Sequence, residues 1–87
     1  MKVIKFGAEW CSPCKVYDPV FEQVSKEVTD HEFVKVDIED DPELAGKYKI
    51  TSVPTTIYLD DNEVEIGRIS GALSAANLIK FLEDIKV

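Results

Sequence analysis

The sequence predicts a small α/β domain whose elements follow the order β-α-β-α-β-β-α. Three observations carry that prediction. Short runs rich in β-branched and aromatic residues alternate with segments whose apolar residues recur every three or four positions. The length, 87 residues, suits one domain spanning 1–87 and leaves no room for a separate cofactor-binding unit. A hydrophobic content of 45% suits a packed core and is too high for a disordered chain.

Val3-Ile4-Lys5-Phe6 reads as the first strand, apolar throughout except for Lys5. Tyr17, Val20, Phe21, Val24 and Val28 then mark a helix with one buried face. Pro13 fits its first turn, where a missing N–H costs nothing. Pro19 falls inside it and is expected to kink it, leaving the Lys15 carbonyl without its usual donor. Phe33 to Ile38 is the second strand. Asp41-Pro42 opens a short helix to about Tyr48, with Asp41 as its N-cap. Thr55 to Leu59 is β-branched and aromatic, hence a third strand. Asp60-Asp61-Asn62 turns it into a fourth, Glu63 to about Ile69, as an antiparallel hairpin in which Gly67 marks a bulge. Ser74 caps a last helix with Leu78, Phe81, Leu82 and Ile85 on one face.

The formal charge of -7 argues against nucleic acid or an anionic membrane surface as partner, since both need basic patches. The acids gather in Asp37–Asp41 with Glu43 and in Asp60–Glu65, most simply as solvated loops. No run approaches transmembrane length. The opening segment is too short and charged for a secretory leader, so a cytoplasmic location is expected.

Both cysteines lie in Trp10-Cys11-Ser12-Pro13-Cys14. A disulfide at this spacing closes about the shortest loop available and would staple the fold poorly, so the pair points to exchange chemistry. Half a zinc site or two unrelated core cysteines fit less well. Zinc usually takes four ligands, and the only other soft donor is His31. No metal is expected.

With Ala8-Glu9-Trp10-Cys11-x-Pro13-Cys14-Lys15, Pro19, Val53-Pro54-Thr55 and Gly71-Ala72-Leu73-Ser74, the sequence resembles thioredoxin over essentially its whole length. The leading strand and helix of full-length thioredoxins are absent, so the remaining core is similar in layout to a glutaredoxin. The resemblance implies a four-stranded mixed sheet in the order 2-1-3-4 with helices on both faces, and a cis bond before Pro54. It also implies that Val53, Pro54, Gly71 and Ala72 receive substrate beside Trp10, for which a core position is the plainer alternative. Glu39 matches a family acid able to accept the indole N–H. Three positions depart from the family pattern. Ser12 replaces a glycine, Gly7 stands where a second tryptophan is usual, and Lys5 occupies the place of a buried aspartate.

Cys11, at the start of the first helix, is the expected nucleophile, because unpaired N–H groups and the helix dipole favour a thiolate there. Cys14, one turn deeper and less exposed, would resolve the mixed disulfide. Lys5 has three readings: it snorkels to solvent, it is buried and partly neutral, or it pairs with an acid. Asp18, four residues after Cys14 and on the same helical face, is the partner favoured here, giving Lys5 and Asp18 a part in proton handling.

The function expected is reduction of protein disulfides through a Cys11/Cys14 dithiol–disulfide cycle, in a monomer with no bound cofactor. An external reductant, a thioredoxin reductase with NADPH or else glutathione, would recycle it. A glutathione-dependent glutaredoxin and an accessory binding subunit with idle thiols are the alternatives.

Overall fold

The structure is a computed structural model and describes residues 1–84. The elements are β1 (Lys2–Gly7), α1 (Ser12–Glu27), β2 (Glu32–Asp37), α2 (Pro42–Lys47), β3 (Thr55–Leu59), β4 (Glu65–Ser70) and α3 (Ala75–Asp84). The strands form one sheet in the order β2-β1-β3-β4. β1 pairs parallel with β2 and antiparallel with β3, and β3 pairs antiparallel with β4.

Alternation along β1 sorts the core into two layers. Val3 joins Tyr17, Phe21 and Val24 of α1 and Leu78 and Leu82 of α3 on one face. Ile4 and Phe6 join Ile57, Leu59 and Tyr48 on the other, with Leu44 and Ala45 of α2 packed against them. Both faces of β1 are thereby covered, which is why an interior strand reads as a near-continuous apolar run. Lys5, 3% exposed, is the charged residue in that run.

Two expected boundaries move. Ile38 falls outside β2, although its N–H still donates to the Gly7 carbonyl at 2.9 Å. β4 starts at Glu65 instead of Glu63, because the Asp60 carboxylate accepts from the N–H groups of Asn62 (2.8 Å) and Val64 (3.0 Å). Those bonds extend the turn and hold Glu63 at φ 61°. The register shift pairs Tyr58 with Gly67 but Leu59 with Glu65, so Ile66 is the extra residue of a bulge beside Gly67. Of the last helix's expected apolar face, Ile85 lies outside the described residues.

Both expected caps form. Asp41 Oδ1 accepts from the Leu44 N–H at 3.0 Å, and Ser74 Oγ accepts from the Asn77 N–H at 3.1 Å. Ser74→Ala is expected to cost about 1 kcal/mol of stability, measured as a lower denaturant midpoint with an unchanged slope. An unchanged midpoint would show that the Ser74 hydroxyl is dispensable to α3.

Candidate functional site

Cys11 is the N-cap of α1, with φ −93° and ψ 103°, and its Sγ accepts from the Cys14 N–H at 3.2 Å. One of the helix's unpaired donors is thus aimed at the first sulfur. Cys11 and Cys14 are joined as a disulfide, their Cα atoms 5.3 Å apart. The expected contrast in exposure is nearly absent in this oxidised form: Cys11 is 4% exposed and Cys14 3%. The closed ring folds the Cys11 side chain back over the helix end, against Ala8, Ile38 and Val53. What separates the two sulfurs is their surroundings. Cys11 faces the helix terminus, while Cys14 borders a buried lysine.

Trp10 is 66% exposed, which excludes the core reading and leaves an aromatic wall beside the disulfide. Val53 packs against the cysteine cluster, and the Val53–Pro54 peptide bond is cis. The Gly71 N–H donates to the Pro54 carbonyl at 2.8 Å, so the loop after β4 is tied to the loop before β3. Gly71 has φ +96°, a conformation open to glycine and costly to other residues. Ala72 beside it is exposed. Trp10, Val53, Pro54, Gly71 and Ala72 therefore belong to the loops that surround the disulfide. Glu39 lines a cleft with Trp10, Glu9 and Lys15, while its own N–H donates to Asp37 Oδ1 at 2.8 Å.

Behind Cys14, the Lys5 ammonium contacts Asp18 Oδ1. The lysine side chain is 4% exposed and that of Asp18 39%, so the pair runs from the interior to the surface. The reading in which Lys5 snorkels to solvent is excluded by this burial. Burial pushes the lysine down to about 8, and Lys35 adds to the shift while Glu22 opposes it. The Asp18 carboxylate in direct contact also favours the charged amine. Beneath this pair, Tyr17 Oη and Thr56 Oγ1 share a buried hydrogen bond of 2.8 Å. Burial raises the Tyr17 phenol to about 12, with the Thr56 bond opposing.

Lys35 is the residue that sequence reasoning did not bring to this site. It lies directly across from Lys5 in the β1–β2 register, and it pairs outward with Glu22 at 2.5 Å. Its signal was the register itself: two strands joined by one helix place Lys5 and Lys35 side by side once the parallel pairing is known. Among the described residues, no group of three or more His, Cys, Asp or Glu side chains is placed to hold a metal ion, and no helix is long and apolar enough to cross a membrane.

Residues 1–84 match the family model described as Thioredoxin. The chain is 42% identical over 67 residues to the thioredoxin of Mycoplasmoides gallisepticum, a match covering 77% of this chain and 67% of that protein. It is 37% identical over 83 residues to the thioredoxin of Buchnera aphidicola, covering 94% of this chain and 76% of that one. Among solved structures, the thioredoxin of Fasciola hepatica superposes with a TM-score of 0.89 at 36% identity, over 98% of this chain and 80% of the other. The oxidised mitochondrial thioredoxin 3 of Saccharomyces cerevisiae gives 0.84 at 33% identity, over 94% and 76%.

Proposed function

The chain belongs to the thioredoxin family and is a thiol–disulfide oxidoreductase, and on that premise we propose how its two cysteines divide the work. Cys11 attacks the substrate disulfide, and Cys14 resolves the mixed disulfide that results. The observation that carries this order is the Cys14 N–H donating to Cys11 Sγ at the helix N-cap. Once the ring is reduced, the same donor and the helix terminus stabilise negative charge on Cys11.

Each turnover conserves electrons. The Cys11 thiolate displaces one sulfur of the substrate disulfide, Cys14 then displaces the second, and the pair ends as the Cys11–Cys14 disulfide. The substrate leaves as a dithiol. Trp10, Val53, Pro54, Gly71 and Ala72 form the surface that receives an extended substrate segment, through backbone hydrogen bonds more than sequence-specific pockets. Lys5 and Asp18 handle the proton of Cys14. The protein acts as a cytoplasmic monomer without a bound cofactor, on disulfide-containing proteins, and a thioredoxin reductase drawing on NADPH returns it to the dithiol.

The reductant is tested by following reduction of the oxidised protein with NADPH and a thioredoxin reductase, in parallel with glutathione. Rapid NADPH consumption in the first and slow reduction in the second is the expected outcome. The reverse pattern would reassign the protein to glutathione-dependent recycling. Reduction by neither would sink the proposed reductant.

A further inference from the structure

Gly7, the last residue of β1, stands against the resolving cysteine. A Cβ placed on it would lie 3.3 Å from Cys14 Sγ, 3.4 Å from Cys14 Cβ and 3.8 Å from Lys5 Nζ. Any side chain at this position would fill the space where the sulfur and the buried amine meet. That space belongs to a cavity of about 340 Å³ lined by Lys5, Gly7, Cys14 and Asp18. Its remaining wall includes the exposed side chains of Glu9, Lys15, Lys35 and Asp40, so it opens to solvent. Cys11, Trp10, Val53 and Ala72 do not line it. Cys14 therefore has a second approach, separate from the surface that meets substrate, and one polar enough to hold water.

Resting on the assignment of Cys14 as the resolving thiol, we propose that this cleft is the proton exit of Cys14, that Gly7 keeps it open, that the Lys5 amine is the base that takes the proton, and that Asp18 acts as a positioning residue. In the mixed disulfide, Cys14 gives its proton to the neutral form of the Lys5 amine, and the sulfur keeps the electron pair. That pair attacks Cys11 Sγ, the Cys14–Cys11 bond forms, and the bond from Cys11 to the substrate sulfur breaks. The departing substrate thiolate takes a proton from solvent, and Lys5 releases its own to water in the cleft. No outside oxidant or reductant enters the step.

The groups around Lys5 suit this exchange. Cys14, Tyr17, Asp18 and Glu22 face it from α1, Lys35 from β2 and Thr56 from β3. An amine pushed down to about 8 is unprotonated in about one molecule in ten at neutral pH, against about one in three thousand for an ordinary lysine. Asp18, reaching from that amine to the surface, holds the ammonium in place between transfers.

The test uses Gly7→Val, a β-branched replacement suited to a strand, in two backgrounds. With Cys14→Ser, the rate of mixed-disulfide formation isolates the attack by Cys11 and is expected to match that of Cys14→Ser alone. With both cysteines present, resolution should slow about tenfold near neutral pH and recover as hydroxide takes over, moving the pH profile to the alkaline side. A drop of equal size at every pH would mean that the side chain merely crowds the sulfur, and would overturn the proposal, as would an unchanged profile. Should Gly7→Val not fold, labelling of Cys14 in Cys11→Ser decides the matter. Relative to its rate on the same thiol in the urea-unfolded chain, methyl methanethiosulfonate should be slowed at least about tenfold less than a bulky aromatic disulfide, whereas equal slowing would refute a narrow solvent path to Cys14. Absence of protein-disulfide reduction by the wild type would fail the functional assignment instead, and the labelling comparison would still judge the cleft.

Discussion

Cys11→Ser is expected to bring reduction of an accessible protein disulfide down to the background rate of dithiothreitol alone, a loss on the order of a thousandfold. Cys14→Ser should fail differently. Attack by Cys11 survives, resolution does not, and a covalent mixed disulfide with substrate accumulates. The two variants thus separate the halves of the cycle, and mass spectrometry of the intact adduct reads the second directly. Limiting iodoacetamide on the reduced protein should label Cys11 first, because the helix terminus and the Cys14 N–H face its sulfur. Labelling of Cys14 ahead of Cys11 would reverse the assignment.

The second large effect concerns the ion pair behind Cys14. Asp18→Ala leaves an ammonium whose side chain is 4% exposed without its contacting carboxylate, a change expected to cost about 3 kcal/mol. Lys5→Met should cost less, about 1 kcal/mol, because the Asp18 side chain is 39% exposed and can rehydrate. Lys5→Met should also slow the Cys14 step more than the attack by Cys11. The double variant, Lys5→Met with Asp18→Ala, should be more stable than Asp18→Ala alone. Additive losses across the cycle would show that the two side chains do not act as a pair.

The pH dependence gives an independent reading of the same residue. Lys5 is lowered from 10.5 to about 8 in the folded protein, so between these values the unfolded chain binds the extra proton. Stability contributed by this group therefore rises with pH across that window. Tyr17 works in the opposite sense above about 10: its phenol is raised to about 12, the unfolded chain ionises first, and stability falls. The Lys5 contribution should be cleanest between about pH 8 and 10, as the difference between the wild type and Lys5→Met in urea midpoints. A difference that does not change with pH would place the Lys5 titration outside this window.

Much of this was legible in the residues. Periodicity located α1 and α3, whose buried faces are written in the spacing of single side chains, while β-branched and aromatic runs located the strands and Asp41-Pro42 the short helix α2. Asp18 as partner to Lys5 was also legible, since its position one turn beyond Cys14 fixes it on the face that covers β1. The start of β4 was hidden because it depends on a side chain: Asp60 bonds to two backbone N–H groups and holds Glu63 and Val64 out of the ladder. Lys35 was hidden because its neighbour in space lies thirty residues away in sequence, and only the parallel register joins them. The cleft beside Gly7 was hidden for a different reason. A glycine says that a side chain is missing, and the surrounding elements decide whether the gap is filled.

Trp10, the single tryptophan of the chain, has a consequence for how the protein is observed. Its indole is already 66% exposed in the folded state and already meets water. Its emission colour will therefore scarcely change when the chain denatures, so a melt followed by emission wavelength would report little. Its brightness, by contrast, will follow the neighbouring sulfurs, since a disulfide quenches a nearby indole and a dithiol does so less. The brightness of one indole is thus a built-in gauge of oxidation while its colour is blind to unfolding, which has to be followed through the helices by circular dichroism.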